Sequence, residues 1–488
     1  MTFVIFPNGQ SLLLCTQDVF HNTQRCGFWN GKTAILLCTA PPDFNPIMYC
    51  STCGSRMKSK GPRIKQINHS ILQDGFKLVL AVSVRKWHCD ICGAYDHDHF
   101  TFVEDRKRNS NLVPLMILDK MKDLNVTARQ VARALNVSDT YVIETFLQYV
   151  SLPRLPFSEI ISIDEVHMKF DNEDLYAAVI MDFCSGQIID ILPNRHAETF
   201  EDYFLHIPLE ERSKVKIIIS DMYKPYLAFP LSYFPNAESI VDSFHVISRI
   251  IGKIKQYINQ VKRRYKDKNE EQLNEKNYRT NSSHKTIKKS RELRILEKYD
   301  WFILKNHDNI SYEPYWRSSR RGSYWFDPSS MEKSLFELDP NFKKIRDLKE
   351  IYIKFNQKHV NDPEGALTEL EEIIKKYRAS GLSMFREIAS TLESNKQAIV
   401  NSFRYIRDEK YGRKTNMLRR ISNGPMEGFN VNPKSLKRNS HGVSNFIYNR
   451  NRILWSTRNN PSILAIPRPK EEIHNHTGKK RGPYKKSK

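Results

Sequence analysis

Asp164 and Asp221 each close a run of apolar residues, Ile160-Ile161-Ser162-Ile163 in one case and Ile217-Ile218-Ile219-Ser220 in the other. A carboxylate embedded in an apolar strand is costly unless it is paired or holds a metal ion. Two such carboxylates side by side repel when ionised, and divalent cations relieve the repulsion. Two Mg²⁺ ions (or Mn²⁺) about 4 Å apart can clamp the attacking and leaving oxygens of an in-line displacement at phosphorus. A third acid completes such a site, and Glu427 is the candidate. It follows the turn Ser422-Asn423-Gly424-Pro425, is followed by Gly428, and lies on an element that continues into Lys434, Lys437 and Arg438, cations suited to gripping a phosphate backbone. Glu372, Glu387, Glu393 and Glu409 compete with it, but they stand in charged helical patterns that read as solvated faces.

A second constellation is sulfur. Cys50-Ser51-Thr52-Cys53-Gly54 and Cys89-Asp90-Ile91-Cys92-Gly93 are two CxxCG knuckles with 35 residues between them. Four thiolates so spaced suit a closed tetrahedral Zn²⁺ site, structural rather than catalytic. Cys15, Cys26, Cys38 and Cys184 lack the spacing and read as small buried hydrophobes. A third signal follows. Thr127-Ala128-Arg129-Gln130 is a capping box, Asn136 suits a left-handed turn, and Ser138 caps a second helix, DTYVIETFLQYV. This is the layout of a helix-turn-helix whose second helix enters the major groove, with Thr140, Tyr141 and Glu144 facing bases or phosphates.

The elements that must position these groups follow from periodicity. From Ser158, EIISID, LYAAVIMDF and QIIDIL read as three antiparallel strands with a turn at Ser185-Gly186. AETFEDYFLHI then reads as a helix, KVKIIISD as a buried strand and SIVDSFHV as a fifth strand. The order β-β-β-α-β-α-β is that of a ribonuclease-H-like core, in which the first and fourth strands are parallel neighbours. Residues 247–420 are charged and helical in pattern, and Trp301, Trp316 and Trp325 within them read as helical core in preference to stacking surfaces for an unpaired base. The expected fold is α+β and multidomain: a zinc-binding domain over 1–105, a helix-turn-helix over 106–155, a ribonuclease-H-like catalytic core over 156–246 and 421–460, a helical insertion over 247–420, and a basic tail over 461–488, with WSTRNNPS closing the ordered part.

Composition limits the partners. With 77 Lys and Arg against 55 Asp and Glu, the net charge of +22 points to a polyanion. No apolar run reaches the length of a membrane span, and the first residues lack the basic and small-residue marks of a signal peptide. Eight cysteines then belong to a reducing compartment, where metal binding is favoured over disulfides.

From about Cys50 to Trp455 the chain resembles the ISL3 group of bacterial insertion-sequence transposases. The resemblance rests on the CxxCG pair, the helix-turn-helix, SIDEVHMKF, IISDMYKPY, VDSFHV, and SNGPMEGFN through KRNSHGVSNF to NRNRILW. It implies an Asp-Asp-Glu triad falling on Asp164, Asp221 and Glu427, and recognition of terminal inverted repeats by the N-terminal domains. It implies hydrolysis at a transposon end followed by attack of the freed 3′-hydroxyl on target DNA, and a homodimer or higher oligomer associated with the cytoplasmic nucleoid. Asp242 and His245 resemble an accessory Asp-x-x-His element beside such sites. Pro433 departs from the family pattern and predicts a bend after Glu427. Two other readings remain: a degenerate transposase that only binds DNA, and a ribonuclease-H-like nuclease without strand transfer.

Overall fold

The computed structural model describes residues 2–5, 11–14, 26–29, 33–38, 47–71, 77–100, 102–104, 107–168, 175–280, 289–319, 322–407, 418–439 and 445–474. The chain forms two compact units: residues 1–154, 167–175 and 431–488, and residues 155–166 and 176–430.

In the first unit, the strands Lys58–Ile71 and Lys77–His88 form a long antiparallel hairpin. The edge strand Tyr95–His97 adds to it, and Thr33–Cys38 pairs with Lys77–His88 in parallel. Three helices follow, Leu112–Lys120, Ala128–Leu135 and Asp139–Tyr149. The capping box forms as its sequence predicts. Gln130 N–H donates to the Thr127 hydroxyl at 3.2 Å, and Thr127 N–H donates to Gln130 Oε1 at 2.8 Å. Asn136 takes φ +57°, so the turn between the two short helices stays tight. Tyr141 N–H then donates to the Ser138 hydroxyl at 3.1 Å, capping the second helix.

The helix Phe446–Thr457 closes this unit from the far end of the chain. Trp455 Nε1 donates to the Leu118 carbonyl at 3.0 Å, Arg452 to the Val126 carbonyl at 3.0 Å, and Asn451 Nδ2 to the Val150 carbonyl at 3.2 Å. The Leu118 and Val150 carbonyls lie at the C-terminal ends of the first and third helices, where intrahelical donors run out, and that of Val126 lies in the loop leading into the second. Arg452 is 1% exposed. The ordered part does not stop at WSTRNNPS: Leu464 N–H donates to the Tyr149 carbonyl at 2.8 Å and Arg468 N–H to that of Gln148 at 3.0 Å, and a short helix spans Lys470–His474. The remaining tail, 475–488, lies outside the described residues.

The second unit is built on a five-stranded sheet. Its order is Ile188–Leu192, Tyr176–Asp182, Ile160–His167, Ile217–Ser220, Glu238–Val241. Apolar runs explain the burial of the central strands, and the last three strands are mutually parallel. The helices Ala197–Leu205 and Lys224–Tyr233 bring Phe200, Phe204, Tyr226 and Phe229 against Ile161, Ile163 and Ile218 on one face. The fifth strand is shorter than expected. It ends at Val241; Asp242 N–H makes a last cross-strand bond to the Ser220 carbonyl at 3.2 Å, and Ser243 begins a helix that runs to Thr280, in which the 3.6-residue stripe Val246, Ile250, Ile254, Ile258, Val261 takes over. That stripe packs on Phe342, Ile345, Leu370 and Phe385 to form the insertion core.

Residues 247–420 are not purely helical. They contain a hairpin, Tyr315–Ser319 with Gly322–Phe326, and Trp316 and Trp325 on it are exposed rather than core, while Trp301 is half-buried. Cys184 is likewise exposed, in the turn between two sheet strands, and the side chains of Cys15, Cys26 and Cys38 lie outside the described ones. No helix among the described residues is long and apolar enough to cross a membrane.

Candidate functional site

Parallel register positions the acids. Ile219 pairs with Ser162, so two residues further along Asp221 falls opposite Asp164. Ser220 pairs with Val241, which puts Asp242 beside Asp221 in turn. Three carboxylates thus leave the same edge of three adjacent strands, spaced by the roughly 4.8 Å between strands. Asp242 is only 2% exposed. Sequence reasoning placed it in an accessory role, yet its setting in Ser239-Ile240-Val241-Asp242 repeats the apolar-run-then-Asp pattern that singled out the other two.

The Glu427 helix, Gly424–Phe429, is clipped to that edge at both ends. At its start Asn423 N–H donates to Asp242 Oδ1 at 3.2 Å, and the Asn423 side-chain oxygen accepts from the Ser162 hydroxyl. At its end Asn430 Nδ2 donates to Asp164 Oδ2 at 2.9 Å. Asn423 is fully buried and Asn430 nearly so. Both stand within the SNGPMEGFN motif, but nothing in the sequence distinguished them as positioning groups. The following helix, Val431–Asn439, is a separate element. Pro433 lies in its first turn, where a missing N–H is tolerated, and the chain breaks at Asn430 as the proline predicts.

One ligand atom each from Asp242, His245 and Glu427 lie within 4.8 Å of one another. Asp164 and Asp221 are in no such three-residue cluster among the described residues, though Asp164 is within electrostatic reach of both Asp221 and His245. Burial pushes the Asp164 carboxyl up to about 6, and Asp221 adds to the shift. Burial likewise raises Asp242. Asp242 Oδ2 and His245 Nε2 are both buried with no hydrogen-bond partner among the described residues. Buried polar atoms left without a protein partner call for a donor, a water or an ion to satisfy them. Glu165, next to Asp164, is occupied differently: it pairs with Arg195 at 2.8 Å and accepts from Tyr226 OH at 2.9 Å.

The rival glutamates stay outside this edge. Glu387 pairs with Lys253, Glu393 with Lys396 at 3.3 Å, Glu372 is exposed, and Glu409 lies outside the described residues. In the other unit, Thr140 is exposed and Tyr141 half-buried. Glu144 bonds Lys470 at 2.5 Å. Lys434 and Arg438 are exposed, while Lys437 reaches His167 Nδ1 at 2.8 Å.

The cysteines converge. Sγ separations are 3.5 Å for Cys50–Cys92 and Cys53–Cys89 and 3.6 Å for Cys53–Cys92, close to the roughly 3.8 Å edge that Zn–S bonds of about 2.3 Å give a tetrahedron. Each knuckle turns back through its glycine: Gly54 at φ +71° donates to the Cys50 carbonyl and Gly93 at φ +75° to that of Cys89, both at 2.9 Å. The backbone N–H of Ser55 lowers the Cys53 thiol to about 6, while the neighbouring sulfurs push Cys92 up, as four thiols crowded together must compete to ionise.

Compared with known proteins, residues 161–453 match a transposase family of the ISL3 DDE type. Over 273 residues the chain is 23% identical to the transposase for insertion sequence element IS1001 of Bordetella parapertussis, a match covering 54% of this chain and 60% of that protein.

Proposed function

This chain belongs to the ISL3-type family of DDE transposases, and we propose that it is a DNA transposase that binds transposon ends and cuts and rejoins DNA at the Asp164–Asp221–Glu427 edge of a ribonuclease-H-like core. The observation that carries the reading is the alignment of carboxylates on adjacent parallel strands, with the Glu427 helix fastened to two of them by Asn423 and Asn430.

The donor set fits divalent ions. Asp164, Asp221 and Glu427 would hold them, and the orphaned Asp242 Oδ2 and His245 Nε2 supply further ligand atoms beside Glu427. When bound, Mg²⁺ or Mn²⁺ activates water and stabilises charge on the oxygens entering and leaving phosphorus. The chain's own part is positioning. Asn430 holds Asp164, Asn423 holds Asp242, and the buried sheet edge keeps the acids from relaxing apart. Hydrolysis at an end and attack by the 3′-hydroxyl on target DNA are both displacements at phosphorus, so one edge serves both. A structural Zn²⁺ on the four cysteines and the two short helices of the other unit supply end recognition, with Thr140 and Tyr141 toward the groove and Lys434, Lys437 and Arg438 on phosphates. Synapsis of two ends calls for a homo-oligomer, and the working compartment is the cytoplasmic nucleoid.

The test supplies the chain with duplexes ending in its element's terminal sequence and a free 3′-hydroxyl, a plasmid target, and Mg²⁺ or Mn²⁺. Joined products are expected. Hydrolysis without joining would favour a nuclease, and binding without either a repressor.

The raised Asp164 carboxyl gives a separate expectation. Its folded value of about 6 exceeds the ordinary 3.8, so the folded state holds the proton more tightly than the unfolded one. Ionised Asp164 therefore destabilises the Mg²⁺-free protein as pH rises from about 4 through 6, and the penalty persists above. Asp164→Asn removes it. Without added Mg²⁺ or Mn²⁺ at pH 8 the variant is expected to be more stable by about 1–3 kcal/mol, a difference that vanishes near pH 4. Equal melting of the two proteins at pH 8 would show that Asp164 is not strained there.

A further inference from the structure

The insertion hairpin carries a surface that the catalytic reading leaves unused. Its register pairs Trp316 with Trp325, and Ser318 with Ser323 on the same face. The opposite face is seated on the insertion. Phe326 is 2% exposed and stacks on Tyr299 with ring centroids 5.5 Å apart. Arg317 lies 4.6 Å over the Trp301 ring, and Lys298 Nζ lies 3.9 Å over that of Tyr324. The outward face is bare: Trp316 is 67% exposed and Trp325 57%, their centroids 5.6 Å apart at 69°. A one-residue slip in register would pair Trp316 with Tyr324 or Phe326 and send the two indoles to opposite faces, so the pairing that forms is what places them side by side.

Large exposed aromatics mark an interaction site. The outward face has no aliphatic residue, only two indoles and two hydroxyls, and residues 314–326 contain Arg317, Arg320 and Arg321 and no acid. Flat π surfaces on a cationic, acid-free hairpin suit a partner with aromatic faces and an anionic backbone. We propose that the Trp316–Trp325 pair is a stacking platform for an unpaired base of a DNA strand. Base stacking needs no hydrogen-bond readout, so the platform recognises the absence of pairing rather than a sequence. This inference rests on the DNA-processing reading above but is separable from it.

The full chain, without Mg²⁺ or Mn²⁺, is titrated with a blunt duplex and with the same duplex bearing a short single-stranded end that carries 2-aminopurine. The wild type is expected to bind the single-stranded end more tightly and to quench the probe. The Trp316→Ala/Trp325→Ala variant should lose at least about tenfold in affinity for that end, on the scale of alanine substitution at a stacked base, with blunt-duplex affinity nearly unchanged. Trp316→Phe/Trp325→Phe should retain most of the preference. Because both side chains point outward, an unchanged circular dichroism melt is expected and serves as the folding control. A wild-type chain that binds both duplexes equally overturns the platform alone, and so does an alanine variant that keeps the preference. If the alanine pair alters the sedimentation of the free protein but not base quenching, the face is a protein interface and the proposal fails. A chain that binds neither duplex overturns the DNA-processing reading as well.

Discussion

Glu427→Gln is expected to leave DNA binding within about twofold of wild type while cleavage falls by roughly 10³-fold or more, equivalent to about 4 kcal/mol of transition-state stabilisation. The substitution keeps the shape of the side chain and removes only its charge. Glu427 is itself exposed, in the first turn of a helix held by buried Met426 and Phe429 and by the Asn423 and Asn430 clips to Asp242 and Asp164. The change is therefore expected to act on the proposed ion-binding edge and to spare the fold. Glu387→Gln is the matched control. That residue pairs with Lys253 on the insertion surface, where exposed ion pairs contribute little, and its cleavage rate should stay close to wild type. Supercoiled-plasmid nicking in Mg²⁺ reads both variants. Near-normal nicking by Glu427→Gln would reassign the third acid, and Asp242 would then be the first residue to examine.

Cys89→Ser is expected to empty the four-sulfur site and abolish end-specific binding, while nonspecific Mg²⁺-dependent nicking persists. Cys89 is fully buried beside Trp87, and its backbone closes the second knuckle through Ala94 and Gly93. A closed site of four thiolates contributes folding free energy outright, on the order of 10 kcal/mol in small zinc modules, so losing one ligand removes more than the knuckles' local packing can offset. Bound zinc, measured after gel filtration, should drop from about one per chain to near zero. Cys53→Ser, at an exposed corner of the same cluster, should do likewise. Absence of zinc from the wild type would mean that the cysteines are a packing cluster, and undiminished zinc in both variants would place the ion elsewhere.

The sheet was legible because its strands are dense in β-branched and other apolar residues, and a run that ends in Asp advertises a buried charge. Register, which cannot be read from one strand, is what gives Asp242 a place in the same row as Asp164 and Asp221. The end of the fifth strand was misjudged because Val246 and Ile247 continue an apolar pattern that fits either period over so short a stretch. Asn423 and Asn430 were invisible for a different reason: an asparagine beside a turn is ordinary, and only the partner 181 or 266 residues away makes it a clip. The tryptophans misled because size and hydrophobicity favour a core, whereas alternation along a hairpin sends every second side chain outward whatever its type.

The donors that Trp455, Arg452 and Asn451 extend to the loops around residues 118–150 span more than 300 positions of chain. A ribosome finishes the three-helix segment long before it makes the helix that seals it. During synthesis the early segment waits with its helix-end carbonyls facing water, and a product truncated anywhere before residue 446 never receives its closing element. On the proposed function, fragments from premature termination would thus be poor competitors for the full chain's DNA sites, and end binding would come only with a polypeptide that already contains Asp164, Asp221 and Glu427.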